Sequence, residues 1–340
     1  MSCAIRFPAV PERLGLGVGM DLPWGDDIGF ERHPQAGDTI TAKVKRFLAR
    51  YGSAFEYLFF AFQPKNRNRL QIGDYLRAYD TLFEAAAAIP KRALHHTILN
   101  MGSSENGDQR QVLDFTNQLI ERYGFLWVVE DLGIWSLAGK PLPYPLPPLL
   151  TDAGLAASIS NVRRCQDGLS VPLCVEFPGF TEGATFFLGQ LDAYDFFRAI
   201  AEETDSPVTI DLGHVLSYQW LRRRTGDRMF EGLERLPLAH CFEMHLSGCQ
   251  ITGGKFRDLH HGVLLDEQLA LLEQRDAIAA VGDLGDDAEA TAAIANAAVA
   301  DPEFVATRIL RESVERWRAE FTALAKATFN VNVPQPGPGR

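Results

Sequence analysis

Short β-rich apolar runs alternate with longer helical stretches along most of this chain, and that alternation narrows the fold more than any other feature. The runs Leu14–Asp21, Glu56–Phe62, Ala93–Leu99, Leu126–Leu132, Leu173–Phe177, Val208–Leu212, Cys241–Leu246 and Phe304–Ile309 read as strands. Ile40–Tyr51, Asp74–Ala88, Gln109–Tyr123, Asp152–Cys165, Leu191–Glu203, Met229–Leu236, Asp266–Ile278 and Glu312–Ala325 read as the helices that follow them in turn. Eight such repeats predict an α/β protein closed as a (β/α)₈ TIM barrel, because an open doubly wound sheet usually has fewer. A dinucleotide-binding sheet would also place a Gly-rich turn where its first helix opens. Here Gly15-Leu-Gly17-Val-Gly19 lies inside the first strand instead, so these glycines are expected to be close-packing positions.

The barrel is expected to fill residues 1–330 as one domain, with residues 331–340 a disordered Pro/Gly-rich tail. Two insertions interrupt it. The loop 140–148 carries five prolines, is therefore extended, and follows the fourth strand across the barrel mouth. The stretch 279–301 has few large apolar residues and reads as a mobile surface connection. With 46% hydrophobic and 23% charged residues the chain has a globular composition, not a disordered one. A net charge of −11 with no basic run longer than Arg222-Arg223-Arg224 argues against a nucleic-acid partner. Five cysteines (Cys3, Cys165, Cys174, Cys241, Cys249) without CxxC spacing fit a reducing compartment. No signal peptide is evident, and no stretch approaches the roughly 18 apolar residues of a membrane span, so a cytoplasmic protein is expected.

In a (β/α)₈ barrel chemistry gathers at the C-terminal ends of the strands. Those ends here carry His95-His96, Glu130-Asp131, Glu176, the pair Asp211 and His214, and His245, and the loop after the seventh strand holds Asp258-Leu-His260-His261. Six of the eight histidines fall in this set. Taken singly, His95 or His245 would more often be a hydrogen-bonded core imidazole than a ligand. Glu176 inside Leu-Cys-Val-Glu-Phe and Asp211 inside Val-Thr-Ile-Asp-Leu are harder to place in a plain core, since an unpaired buried carboxylate is costly. A cation neutralises both, and imidazole with carboxylate but no thiolate suits iron, manganese or zinc. So many ligands exceed the needs of one ion and point to two or three sharing a carboxylate. Cys249 reads as an inert thiol.

The order His, acid, Glu, Asp-x-x-His, His, Asp-x-His along successive strands resembles the xylose-isomerase-like barrels, endonuclease IV included. Local segments resemble the DUF692 family more closely, the multinuclear non-haem iron-dependent oxidases. Leu94-His95-His96 followed by Asn100-Met-Gly-Ser103 is similar to that family's Leu-His-Gly…Ser-Leu-Gly-Ser, and Pro141-Leu-Pro-Tyr144 to its Leu-Pro-Leu-Pro-Tyr. Glu243-Met-His245-Leu-Ser-Gly248 is similar to Glu-Ile-His-Leu-Ala-Gly, and Asp258-Leu-His260 to Asp-Thr-His.

The resemblance implies one metal ion held by His95, Asp131 and Glu176. A second is implied at Glu176, Asp211 and His245 with Glu176 bridging, and a third at His214, Asp258 and His260. Glu176, Asp211 and His245, around the central ion, are the implied catalytic residues. It further implies two or three iron ions, O₂ as co-substrate, a cysteine or acidic side chain of a ribosomally made precursor peptide as substrate, and a leader-binding partner protein. The proline loop and Trp24 are candidate rim elements for that peptide. The chain departs from the family at three strands: Asp131 stands where a His is usual, Phe304–Arg308 offers no Glu, and the second strand lacks its His. The alternative is a redox-neutral zinc or manganese sugar isomerase/epimerase or phosphoester hydrolase. A DNA hydrolase is disfavoured by the acidic charge, and an isomerase by strand ends without Lys. A metal-binding scaffold without activity is the third reading.

Overall fold

Gly17 and Gly19 open the first strand because two aromatic rings need the space above them. A Cβ on Gly17 would lie 2.1 Å from Cζ of Tyr57, and one on Gly19 2.1 Å from Cζ of Phe59. The close-packing reading of these glycines therefore holds, and the rings they admit fill the interior of the sheet. The structure, a computed structural model, describes residues 17–22, 48–49, 52–62, 73, 76, 79–80, 83–84, 86–105, 108–180, 186–245, 249–258 and 293–295.

Eight strands form one sheet in which every neighbouring pair is parallel. In order across the sheet they are β1 (Gly17–Leu22), β2 (Tyr57–Phe62), β3 (Lys91–His95), β4 (Trp127–Asp131), β7 (Leu173–Glu176), β8 (Val208–Asp211), β9 (Cys241–His245) and β12 (Ala293–Ala295). The sheet curls far enough that β12 and β1, its two edges, come close to one another. Among the helices whose full span is described, four alternate with the strands: α1 (Arg110–Tyr123), α2 (Asp152–Gly168), α3 (Ala193–Thr204) and α4 (Leu212–Leu221). This is the α/β barrel architecture expected from the alternation.

Side chains sort by the two-residue period of the strands. Tyr57, Phe59, Ala93, Trp127, Val129 and Cys174 point inward and pack together with Phe242. The residues between them, Leu58, Leu94, Val128 and Val175, join the larger cluster that packs beneath the helices. Helix starts are set by side chains: Thr151 Oγ1 accepts from Gly154 N–H at 3.1 Å, and Asp192 Oδ1 from Tyr194 N–H at 3.0 Å. Gly124, at φ 65°, closes α1 in a left-handed turn.

The structure differs from the sequence reading at three places. First, the helix after β8 begins at once, at Leu212, and not at Met229; residues 226–230 and 233–235 form short 3₁₀ turns. Leu212–Gln219 is buried all round, so the stretch has no amphipathic stripe to betray a helix. Second, Ala293–Ala295 forms the strand beside β9, inside the stretch read as a mobile connection. Ala-Ile-Ala is too short and too poor in β-branched residues to stand out as a strand. The expected strand at 304–309, the helices at 266–278 and 312–325, and the tail lie outside the described residues. Third, the proline loop is regular: β5 (Ile134–Leu137) and β6 (Lys140–Leu146) make an antiparallel hairpin directly after β4. A second hairpin, β10 (Cys249–Thr252) with β11 (Lys255–Asp258), follows β9. Both stand at the C-terminal end of the barrel.

Candidate metal centre

His95, Asp131, Glu176, Asp211 and His245 are the last residues of β3, β4, β7, β8 and β9, and all five side chains are buried. Register aligns them: Asp131 pairs with Glu176, and Asp211 with His245. The two-residue period then turns them to the interior, one layer above the aromatic cluster. Glu130 belongs to the opposite face. Its carboxylate accepts the backbone N–H groups of Ile98, Leu99 and Asn100 at 2.9, 2.9 and 3.0 Å, and so clamps the loop that leaves β3.

Glu176 is the centre of the arrangement. Its Oε2 lies 2.9 Å from Nε2 of His95 and its Oε1 2.8 Å from Nδ1 of His245. Phe59 packs against both imidazoles, with ring centroids 5.1 Å from each. Asp131 lies on the other side, its Oδ1 3.5 Å from Nδ1 of His214. That nitrogen also lies 2.6 Å from the carbonyl oxygen of Phe177. A carbonyl only accepts, so the His214 proton sits on Nδ1 and the lone pair on Nε2. Two groups of three can thus hold a metal ion: His95, Glu176 and His245, and Asp131, Glu176 and His214, the ligand atoms of each lying within 4.8 Å of one another. Glu176 belongs to both.

Electrostatics follow from this crowding. Burial disfavours the imidazolium of His245, yet the carboxylates of Glu176 and Glu243 outweigh it and hold the pKa well above the usual value. Burial opposes charge on His95 too, and Glu176 again raises its pKa. Burial pushes Glu176 up, but the two imidazoles win and hold it well below the carboxylate range. Nδ1 of His95 and Oδ2 of Asp211 are buried without a hydrogen-bond partner among the described residues. Such atoms are expensive in a plain core and are what a cation site supplies. The residues present fit a divalent metal.

The arrangement regroups the sequence expectations. Glu176 is shared by two sets, but His95 joins His245, and Asp131 joins His214. Asp211 enters neither group. Its Oδ1 caps α4 by accepting His214 N–H at 3.0 Å, which fixes where His214 stands. The pair that looked like two ligands at a strand end is also a helix cap. The side chain of Asp258, with His260, His261 and Trp24, lies outside the described residues. Cys249 is buried in the cluster beneath the helices with Phe256.

Sequence reasoning missed Glu243 as a residue of the site. The β8–β9 register slips by one residue, Val208 pairing with Cys241 but Thr209 with Glu243. Phe242 is the extra residue of this bulge, and both it and Glu243 turn inward. The Phe242 ring stands 5.4 Å from Trp127, and Glu243 Oε2 accepts the Trp127 indole N–H at 2.9 Å. A strict two-residue period puts one of the two outside; an acid two residues before His245, on the same face of the strand, was the available signal.

An α/β barrel with imidazoles and carboxylates converging on one shared glutamate at its C-terminal mouth carries the donor set that a metal centre needs. The family described as RiPP precursor modification enzyme MbnB/TglH/ChrH matches residues 68–290, and the chain belongs to it. A UPF0276 protein of Paraburkholderia phytofirmans is 28% identical over 185 residues, 52% of this chain and 56% of the relative. One from Caulobacter vibrioides is 24% identical over 181 residues, 53% of this chain and 62% of that relative. The chain thus spans between half and two thirds of the length of these curated relatives. A xylose isomerase domain protein of Alicyclobacillus acidocaldarius is 14% identical over 91% of this chain and 99% of its own, with a TM-score of 0.45. No helix among the described residues is long and apolar enough to cross a membrane.

Proposed function

We propose that this protein is an iron-dependent oxidase that uses O₂ to modify a cysteine or acidic side chain of a ribosomally made precursor peptide. The observation that carries the reading is the shared Glu176 carboxylate, which belongs to two buried ligand groups at once. The family match supports the substrate class.

His95, Glu176 and His245 would hold one ion, and Asp131, Glu176 and His214 another. Iron bound there supplies the redox chemistry that O₂ requires and that no side chain of the set can provide. The chain's own residues do the rest. Glu176 would be a ligand to both ions. Phe59, buried against both imidazoles, keeps water from the back of the site. Asp211 holds the start of α4, and with it His214, in place. Glu130 does the same for the loop after His95.

The two hairpins at the barrel mouth are the elements placed to receive a peptide. Each presents an exposed apolar side chain, Leu137 on β5 and Ile251 on β10. Pro141, Pro143 and Pro145 occupy alternate positions of β6, so one edge of that strand has no N–H to donate. A peptide is therefore held there by side-chain contacts more than by addition of a strand. A partner protein that binds the leader would bring the precursor to this mouth.

The test is to purify the protein anaerobically, add candidate precursor peptides, and follow oxygen uptake together with peptide mass. The expected result is two or three iron atoms per chain and oxygen consumption coupled to a mass change on one peptide. Zinc alone, with no oxygen consumption in the presence of any candidate peptide, overturns the oxidase reading.

A further inference from the structure

Glu243 is in neither ligand group, yet it is fully buried inside the barrel beneath them. Three side chains converge on its carboxylate. Tyr57 O–H donates to Oε1 at 3.1 Å, Trp127 Nε1–H donates to Oε2 at 2.9 Å, and Nε2 of His245 lies 2.9 Å from Oε1. An indole N–H can only donate and an ionised carboxylate can only accept. Glu243 is therefore set to accept from His245 as well, which places the imidazole proton on Nε2. Once a cation takes the place of the proton on the other nitrogen, the lone pair falls on Nδ1, the atom that lies 2.8 Å from Oε1 of Glu176 within the His95–Glu176–His245 group.

We propose that Glu243 is the positioning residue of the metal centre, holding His245 as the Nε2–H tautomer so that Nδ1 faces the cation beside Glu176. The inference rests on the metal-centre reading above. The fold is arranged around this carboxylate at several points. The β9 bulge turns it inward, Gly17 leaves room for the Tyr57 ring that reaches it, and Trp127 on β4 supplies the second donor. The inward-facing cluster around its two donors includes the apolar side chains of Phe59, Ala93, Val129 and Cys174. A carboxylate bonded to the outer nitrogen of a ligating histidine fixes the ring's orientation and makes its other nitrogen a stronger donor.

Cobalt(II) titration of the metal-free protein, followed by visible absorption, tests the proposal. Four proteins are compared: wild type, Glu243→Gln, His245→Asn, and the double variant. Glutamine keeps an acceptor for Trp127 but offers an amide N–H₂ to His245, which drives the imidazole proton to Nδ1. The expected result is a 10- to 100-fold loss of cobalt affinity in Glu243→Gln, and no further loss when the same change is made in His245→Asn. Unchanged affinity in Glu243→Gln, or an equal loss in both backgrounds, overturns the proposal in favour of a purely structural carboxylate. A second measurement needs no variant. In zinc-loaded wild-type protein labelled with ¹⁵N-histidine, His245 is expected to carry its proton on Nε2 and its metal-shifted resonance on Nδ1, and the reverse assignment overturns the proposal. Wild-type protein that binds no cobalt overturns the metal-centre reading itself, a failure distinct from cobalt binding that ignores Glu243.

Discussion

Oε1 of Glu176 and Nδ1 of His245 lie 2.8 Å apart, although β8 separates the strands that carry them. The contact crosses the concave face of the sheet, and the other oxygen of the same carboxylate reaches His95 on β3 at 2.9 Å. One side chain thus ties three strand ends together. Without a counter-charge this would be a poor core, because burying a carboxylate among apolar rings costs several kcal/mol. Two imidazoles offset that cost as protonated partners; a metal ion would offset it with the carboxylate as its ligand.

A carboxylate shared by two ions would make Glu176 unequal to the other residues of the two groups. Glu176→Ala is expected to lose metal from both groups, whereas His214→Ala disturbs only the group with Asp131. Metal analysis of the two purified variants checks this. Equal losses of a single ion in both would contradict the bridging role.

The pH dependence follows from the same pair. His245 has a folded pKa raised above its usual 6.5, so its contribution to stability is complete below that value and is lost as pH rises through the folded pKa. Glu176 is depressed below its usual 4.5, so its contribution is present above that value and is lost as pH falls through the folded pKa. The metal-free protein is therefore most stable between the depressed carboxylate and the raised imidazole. A metal ion displaces the proton on His245, so affinity should rise about tenfold per pH unit for each proton released. Calorimetric titration with zinc across that range checks it, and a flat affinity would contradict proton displacement.

Glu130 shows how the loop after β3 is held. Its three backbone partners are left without an acceptor in Glu130→Ala, which should destabilise the protein by roughly 3 kcal/mol. Glu130→Gln retains an oxygen acceptor and should cost less. Burial pushes the Glu130 carboxyl up to about 7, against the pull of those N–H groups. Its charge therefore removes stability as pH rises from the ordinary carboxylate range toward 7, and Glu130→Gln should flatten that slope. Urea unfolding at several pH values tests both statements; an alanine variant as stable as wild type would show the clamp to be idle.

Gly19 supports the centre from below. A methyl group there would meet the Phe59 ring at 2.1 Å, and that ring packs on both His95 and His245. Gly19→Ala should cost about 1–3 kcal/mol and weaken metal binding. Shrinking the ring with Phe59→Leu in the same protein should recover part of the stability loss. Additive losses would contradict the packing account.

Much of this was legible in the chain because the barrel repeats one pattern. Apolar runs ending in His95, Asp131, Glu176, Asp211 and His245 mark strand ends, and strand ends face one point in this architecture. The partition of ligands was not legible. Which imidazole meets which carboxylate depends on register and barrel curvature, and these placed His95 beside His245 and Asp131 beside His214. Two local features hid for definite reasons. Helix α4 is buried on every side and shows no amphipathic period, and the β9 bulge turns the adjacent Phe242 and Glu243 both inward, which blurs the two-residue period at that strand. Asp211 illustrates a residue whose type suits two tasks, ligand and helix cap, and whose role the spacing alone does not choose.

The central claim, that one glutamate serves two ions, is tested most directly by anomalous diffraction at the iron edge from crystals of anaerobically iron-loaded protein. The account predicts at least two peaks flanking the Glu176 carboxylate, one at ligand distance from His95 and His245, the other at ligand distance from Asp131 and His214. A single peak, or peaks that leave Glu176 bound to one ion or none, would contradict it.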